Sequence, residues 1–234
     1  MALPKLESPT YELELPSTQE KIKYRPFLVK EQKILMMAQE SDNQQQLQNA
    51  VSELVSSCTF GKVDASATPV FDIEYIFLKL RGKSVGDKVQ VSVLCPDDEK
   101  TRVPVEINLN DVSVQMTVGH TNEVNIGEQI KLYLNYPILS SMNLGADANE
   151  SDMMFQILHG CVNEIHYNDK IYNRTDFNKK ELEEFFEQFT MDQMGEVLDF
   201  FNTMPKLRHV VNIINPNTKV KSEVILEGLN TFLE

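Results

Sequence analysis

The sequence predicts an α+β fold in which helical N- and C-terminal portions flank a small antiparallel β-module, with a β-hairpin at the N-terminus. Apolar residues recur at helical spacing between residues 31 and 84 and again after residue 151. Over residues 88–137 they alternate with a period of two, as in half-buried strands. We therefore expect an N-terminal domain of hairpin and helices over 1–86, the β-module over 87–140 and a helical region over 141–234.

The N-terminal hairpin is predicted by "YELEL" at 11–15 and "KIKYRPF" at 21–27, which alternate in polarity on either side of "PSTQE". A first helix should begin at Glu31 in the segment "EQKILMMAQE". Its expected apolar face consists of Ile34, Leu35, Ala38 and the neighbouring methionines.

Two more helices should follow before the β-module. Asp42 can cap the second helix, which runs to about Ser57. Pro69 and Asp72 introduce the third helix, and Gly82 should end it. The expected apolar stripes are Leu47, Val51, Leu54 and Val55 in the second helix and Ile73, Ile76, Phe77 and Leu80 in the third.

The spacing of apolar residues also predicts the strands of the β-module and the C-terminal helices. The strands are predicted at 88–94, 102–109, 112–118 and 129–137. Beyond residue 151, "MMFQILHGCVNEI" should form one helix and residues 178–204 one or two more, with Asn178 and Thr190 as N-caps and Pro205 as the stop. A last helix, "KSEVILEGLNTFLE", is expected over 221–234.

Composition and charge exclude several classes of protein. The net charge of −13 opposes binding to a phosphate backbone, and the basic residues are scattered singly, so we expect no nucleic-acid binding. No stretch approaches the roughly 18–20 unbroken apolar residues of a membrane span. The N-terminus lacks a basic-then-apolar secretory pattern, so we expect the chain to stay in the cytoplasm where it is made. Its three widely spaced cysteines fit reduced thiols.

The strongest metal candidate is the turn "CPDD" at 95–98. A structural zinc site needs two close ligand pairs, but Asp98 stands where a knuckle has its second cysteine. The nearest histidine, His120, has no Cys or His beside it. Because Pro and Asp are also favoured in tight turns for backbone reasons, we predict a hairpin tip here and no metal.

A second candidate constellation combines His159, Cys161 and His166 with Asp169 and Asp176. On a helix, residues two apart point in nearly opposite directions and residues seven apart lie two turns apart. The three side chains therefore cannot share one ion while the helix is intact. We predict a buried thiol in an apolar stripe.

No segment carries a catalytic pattern. The acidic residues between 181 and 199 lie opposite an apolar stripe, which favours a solvated face over a catalytic pair. The chain has no phosphate-binding, nucleophile-elbow or H-E-x-x-H motif. We therefore expect no catalytic residues, no metal, no cofactor and no enzymatic activity. The doublets Phe185-Phe186 and Phe200-Phe201 leave core packing and partner docking equally open.

Five segments carry a resemblance to a known family. They are the opening "LPKLESPTYELELPSTQEKIKYRPFLVKEQKILMMA", "CTFGKVD" at 58–64, "FDIEYIFLKLRGKSVGD" at 71–87, "FFNTMPKLRH" at 200–209 and "LEGLNTFLE" at 226–234. Together they span essentially the whole chain, and they resemble the T4-type bacteriophage baseplate proteins.

This resemblance implies a non-enzymatic structural or assembly component of the central hub of a contractile-tail baseplate, acting through contacts with other hub and tail proteins. It implies a location in the virion tail baseplate, and in the host cytoplasm during assembly. It also implies partner-binding roles at Arg25, Pro26, Phe27, Lys30, Phe71, Glu74, Tyr75, Leu78, Arg81, Gly86, Phe201, Met204, Pro205 and Leu207.

Three hypotheses remain open at this stage. The chain is a hub subunit that stays in the particle, or a transient chaperone that helps the hub to assemble and is absent from the mature virion. A metal-dependent enzyme, the third hypothesis, predicts bound zinc in the purified protein. Whether the chain forms a homo-oligomer is left open as well.

Overall fold

The computed structural model describes residues 6–41, 43–142 and 150–232, and the chain forms two compact units. Unit 1 comprises Met1–Gln115 together with Lys206–Glu234, and unit 2 comprises Met116–Pro205. The described residues form six α-helices and eleven strands in four sheets that are distributed along the whole chain. The predicted fold class, with helical ends flanking one β-module, is therefore wrong. The predicted division into domains at 1–86, 87–140 and 141–234 stays a prediction.

The elements follow one another in this order along the chain. The strands are β1 (Tyr11–Glu14), β2 (Lys21–Tyr24), β3 (Lys88–Leu94), β4 (Arg102–Asn108), β5 (Ser113–Gln115), β6 (Glu123–Ile126), β7 (Ile130–Leu134), β8 (Val162–Tyr167), β9 (Lys170–Asn173), β10 (Lys206–Ile214) and β11 (Lys221–Glu227). The helices are α1 (Val29–Glu40), α2 (Gln44–Cys58), α3 (Val70–Val85), α4 (Glu150–Cys161), α5 (Lys179–Phe186) and α6 (Met191–Thr203), with 3₁₀ helices at Leu139–Met142 and Leu229–Phe232. Among the described residues, none of the helices has the length and apolar character needed to cross a membrane.

In unit 1, strands from the middle and the end of the chain share one core. The hairpin β3–β4 buries alternate residues, and the three-stranded sheet β11-β10-β5 contributes its own inner face. Register brings residues distant in sequence together, with Leu207 of β10 opposite Val114 of β5. Leu78 of α3 is fully buried in the same core. The hairpin β1–β2 forms as predicted.

In unit 2, a four-stranded antiparallel sheet of order β6-β7-β8-β9 shares a core with α4, α5 and α6. The predicted N-caps are confirmed here. The side chain of Asn178 accepts a hydrogen bond from the Glu181 N–H, and that of Thr190 accepts one from the Gln193 N–H. Helix α6 ends before Pro205, as predicted.

The predicted single β-module is wrong because its strands pair with different partners. Strands β3 and β4 form a sheet of their own, β5 joins β10 and β11, and β7 lies between β6 and β8. The helix predicted over 153–165 ends at Cys161, and the chain passes directly into β8. Pairing of β8 with both β7 and β9 favours the extended conformation over about one more turn of helix.

The last predicted helix is also wrong, since residues 221–227 form β11 and pair with β10. Three apolar residues in a row, Val224, Ile225 and Leu226, do not show the alternation of a half-buried strand, and the sequence therefore favoured a helix. In the structure, Ile225 lies on the outer side of the strand and is 55% exposed.

Two helix boundaries also differ from the prediction. Helix α3 continues past Gly82 to Val85 and is capped by Gly86, whose φ of 126° suits glycine. The predicted cap Asp42 lies outside the described residues, and Asn43 caps α2.

Candidate partner-binding surface

The junction between β2 and α1 is organised by Arg25. Its Nη2 donates hydrogen bonds to Glu31 Oε1 at 2.8 Å and to Ser57 Oγ at 3.1 Å, and its Nη1 donates to the Pro26 carbonyl at 3.0 Å. The side chains of Arg25 and Glu31 are only 13% and 6% exposed. The arginine therefore joins the end of β2 to the start of α1 and the end of α2.

The environment of Glu31 keeps its carboxylate ionised. Burial alone would raise the pKa of Glu31, but hydrogen bonds from Arg25 and from the Leu28 N–H at 2.7 Å outweigh burial and hold this pKa at about 2. Nearby, burial raises the pKa of the Cys58 thiol to about 11. The thiol is thus protonated at neutral pH, which argues against a nucleophilic role.

The other residues implied at this junction differ in exposure. The Phe27 side chain is buried, and its N–H donates to Ser84 Oγ at 2.9 Å, which links the junction to α3. The Lys30 side chain is 69% exposed, and its Nζ lies 3.4 Å from Glu31 Oε1. Of this group, Lys30 is therefore the charged side chain that is exposed.

The implied residues of the segment 71–87, on α3 and at its C-cap, are mostly buried or partly buried. Phe71 and Leu78 are buried, whereas Glu74, Tyr75 and Arg81 are partly buried. The Tyr75 ring packs against the core of unit 1. Gly86, at the C-cap, is exposed.

The implied residues of the segment 200–209 are also buried or partly buried. Pro205 and Leu207 are buried, and Met204 is the C-cap of α6, its N–H donating to the Phe200 carbonyl at 2.9 Å. The ring of Phe201 packs edge-on against Phe200, with centroids 5.1 Å apart. Most of the residues with an implied partner-binding role thus pack within the chain, and their contact with a partner stays a prediction.

The phenylalanine doublets of α5 and α6 pack within unit 2. Phe186 and Phe200 are buried, and Phe185 and Phe201 are partly buried against the same core. Phe185 and Phe186 also contact Phe189 edge-on, with centroids 5.0 and 5.2 Å apart. Core packing therefore accounts for these rings.

Exposed apolar side chains lie instead on the outer side of α1. The inner side of α1 buries Glu31, Leu35 and Ala38. The outer side presents Val29, Met36 and Met37, which are 68%, 50% and 70% exposed and which we call the α1 patch. The expected face that joined the methionines to Leu35 and Ala38 is wrong, because Leu35 and Ala38 are buried whereas both methionines are exposed.

A second exposed apolar area lies on the outer face of the β10–β11 hairpin. Val210 and Ile225 are directly opposite each other and are 39% and 55% exposed. Ile214 and Val220, near the hairpin turn, are 53% and 44% exposed. Sequence reasoning missed this face because it predicted a helix in place of β11. The β-branched pair Val224-Ile225 was the signal that could have revealed it, since β-branched residues are enriched in strands.

The "CPDD" segment belongs to a turn that three hairpins of unit 1 share. In each, a proline follows the first residue and the fifth residue is left-handed, with φ of 59° at Gln19, 52° at Glu99 and 65° at Lys219. The N–H of each fifth residue donates to the carbonyl of the first, namely Leu15, Cys95 and Asn215, at 2.8–3.0 Å. The segment is therefore explained by its backbone conformation.

The acidic side chains of this turn are bound within the chain. Asp98 accepts hydrogen bonds from the Thr101 side chain and N–H, which lower its pKa. Asp97 accepts from Asn215 Nδ2 at 3.0 and 3.1 Å and from the Thr218 hydroxyl, so the tips of the β3–β4 and β10–β11 hairpins are joined. Across residues 6–41, 43–142 and 150–232, no three His, Cys, Asp or Glu side chains are grouped to hold a metal ion.

The histidine and cysteine candidates of unit 2 have separate surroundings. Arg174 Nη2 lies 2.8 Å from His159 Nε2, and His166 Nε2 lies 3.0 Å from Glu164 Oε2. Cys161 is buried, which raises its pKa to about 12. This agrees with the predicted buried thiol.

Comparison with curated proteins gives no match, and comparison with solved structures gives none either. A family model described as T4 bacteriophage base plate protein matches residues 8–234, which is nearly the whole chain. The match confirms the resemblance found in the sequence, and the chain belongs to the T4-type bacteriophage baseplate protein family.

Proposed function

We propose that this chain is a non-enzymatic subunit of the central hub of a contractile-tail baseplate and acts through protein–protein contacts. Family membership supports a location in the virion tail baseplate, with other phage baseplate proteins as partners. The observation that carries the proposal is the α1 patch, an exposed apolar surface on a helix whose start is held by the Arg25–Glu31 ion pair.

The α1 patch has the chemistry of a docking surface. Exposed apolar clusters on soluble proteins mark interaction sites, and methionine adapts its shape to a partner. Lys30 and Lys33 are exposed on the same helix of an otherwise acidic chain. The partner that fits is therefore a baseplate protein that presents an apolar segment flanked by acidic residues.

Mass spectrometry of purified virions separates the subunit from the alternative, a transient chaperone that acts in the host cytoplasm. Stoichiometric peptides of this chain in the particle support the subunit. Their absence from particles, with abundant chain in the infected cell, overturns the subunit and favours the chaperone.

The α1 patch is tested by Met37→Glu in a phage that carries the variant gene. We expect incorporation into particles to fall by about tenfold or more, because a charge would have to be buried in an apolar contact. Met191→Glu is the matched control, since Met191 begins α6 and is 86% exposed. Equal incorporation of both variants, with both proteins folded by circular dichroism, would remove the α1 patch from the proposal.

A further inference from the structure

Strand β11 leaves one side of its backbone unpaired by any strand in the part of the chain that the structure describes, because it is the edge of the sheet β11-β10-β5. In an antiparallel pair, alternate residues direct their N–H and C=O groups to the neighbouring strand. Two hydrogen bonds define the alternation here, from the Gly228 N–H to the Leu207 carbonyl and from the Asn215 N–H to the Val220 carbonyl.

It follows that Lys221, Glu223, Ile225 and Glu227 direct their backbone groups to the open side of β11. Their side chains are exposed on the outer face of the hairpin. The Glu227 carbonyl already accepts a hydrogen bond from Thr231 Oγ1 at 2.9 Å. The donors and acceptors of the other three residues form a template for another strand.

We propose that β11 pairs antiparallel with β11 of a second copy of this chain, about a two-fold axis at Val224. The two three-stranded sheets then become one continuous sheet. In this register Lys221 lies opposite Glu227 of the second copy, and Glu223 lies opposite Ile225. By symmetry, the Lys221–Glu227 pair forms twice.

Charge selects this register over its neighbours. A two-fold axis at Glu223 would place this carboxylate opposite itself, and an axis at Ile225 would place Glu223 opposite Glu227. Opposite charges across an antiparallel pair stabilise it, and like charges destabilise it. Glu227 also accepts from Arg208 Nε at 2.6 Å and lies 3.2 Å from Lys206 Nζ, so Lys221 of the second copy would join an existing ion-pair cluster.

The apolar centre of the strand supports the same arrangement. Ile225 is diagonal to Ile225 of the second copy in this register, within side-chain reach. With Val210 beside each of them, the exposed residues of the two hairpins form a continuous stripe across the joined sheet. This inference is independent of the proposed hub function and of the α1 patch.

The mass of the full chain in solution provides the first test, by sedimentation equilibrium over a concentration series. We expect a concentration-dependent rise from 26.8 kDa towards twice that mass. Lys221→Glu should raise the dimer dissociation constant by about tenfold or more, because it puts like charges opposite each other at two places. Lys170→Glu, the same reversal on the edge strand β9 of unit 2, should leave the constant unchanged.

Ile225→Pro tests the backbone pairing. The Ile225 N–H points to the open side, so proline removes no hydrogen bond to β10 but blocks the second copy. We expect a folded monomer by circular dichroism and sedimentation. If this variant does not fold, the exposed Lys221→Glu variant still decides the question.

Cysteine cross-linking tests the register. Two Val224→Cys side chains would meet at the axis in a non-hydrogen-bonded pair, whose Cα separation of about 4.5 Å permits a disulfide. Ser222→Cys is the control, because Ser222 lies opposite Leu226 in this register. The native Cys58, Cys95 and Cys161 are buried. A monomer at all concentrations, equal dimerisation of the two lysine variants, or no excess of Val224→Cys cross-link would each overturn the proposal.

Discussion

Two buried carboxylates of unit 1 are held in opposite ways. Glu31, at the start of α1, accepts hydrogen bonds from the Arg25 guanidinium and the Leu28 N–H, and its pKa is about 2. Asp72, in the first turn of α3, accepts from the N–H and the hydroxyl of Ser17. Burial raises the pKa of Asp72 in spite of these hydrogen bonds.

The difference teaches that burial alone does not decide whether a charge stabilises a fold. The ionised form of Glu31 is favoured in the folded state because a cation is hydrogen-bonded to it. The Asp72 carboxylate accepts hydrogen bonds from neutral donors and lies at the N-terminus of α3. These interactions compensate only in part for the cost of removing its charge from water. We therefore expect removal of the two charges to have different effects on stability.

The largest effect is expected from Glu31→Gln. The variant leaves the Arg25 guanidinium without its counter-charge and should lower the free energy of unfolding by about 3 kcal/mol. Urea denaturation at neutral pH measures this loss. Glu53→Gln, at an exposed glutamate of α2, is the matched control and should change stability by less than about 0.5 kcal/mol. A loss no larger than that of the control would show that the ion pair does not support the junction.

A smaller effect is expected from acid. The pKa of Glu31 is lowered from 4.5 to about 2, so between these values the unfolded chain binds more protons than the folded one. The stability that this group contributes is complete above pH 4.5 and is lost as the pH falls towards 2. From pH 7 to pH 3 we expect the wild type to lose about 2 kcal/mol more than Glu31→Gln. Parallel curves for the two proteins would contradict the pairing.

Local signals in the sequence predicted part of the fold. Helices α1, α2 and α3, the N-caps Asn178 and Thr190 and the positions of strands β3, β4, β5 and β7 depend on spacing and on capping chemistry, which single segments carry. The pairing of β5 with β10, and the choice between helix and strand for residues 162–167 and 221–227, depend on distant partners. Spacing within one segment contains no information about these partners.

The candidate surface was predicted to a smaller degree. The resemblance drew attention to Arg25 and Lys30, but the sequence could not reveal that Glu31 and Ser57 complete the junction, since Ser57 lies on another helix. The exposure of Met36 and Met37 depends on which side of α1 meets the core. That choice follows from tertiary packing, because both sides of this helix carry apolar residues.

The smallest effect is expected from Asp72→Asn. The amide removes a charge whose burial is unfavourable, but it also loses the attraction of the carboxylate to the N-terminus of α3. The two terms oppose each other, so we expect the free energy of unfolding at pH 7 to change by less than about 1 kcal/mol. Asp192→Asn, in the exposed first turn of α6, is the control. It measures only the loss of attraction between a carboxylate and a helix N-terminus.

The pH dependence of Asp72→Asn gives the sharper result, because the sign is opposite to that of Glu31. The pKa of Asp72 is raised above 3.8, so the folded chain binds more protons than the unfolded one just above that pH. The stability of the wild type relative to Asp72→Asn should therefore increase as the pH falls through the folded pKa towards 3.8. A decrease over the same range would mean that the Asp72 carboxylate is stabilised in the folded state as Glu31 is, and the contrast between the two sites would be lost.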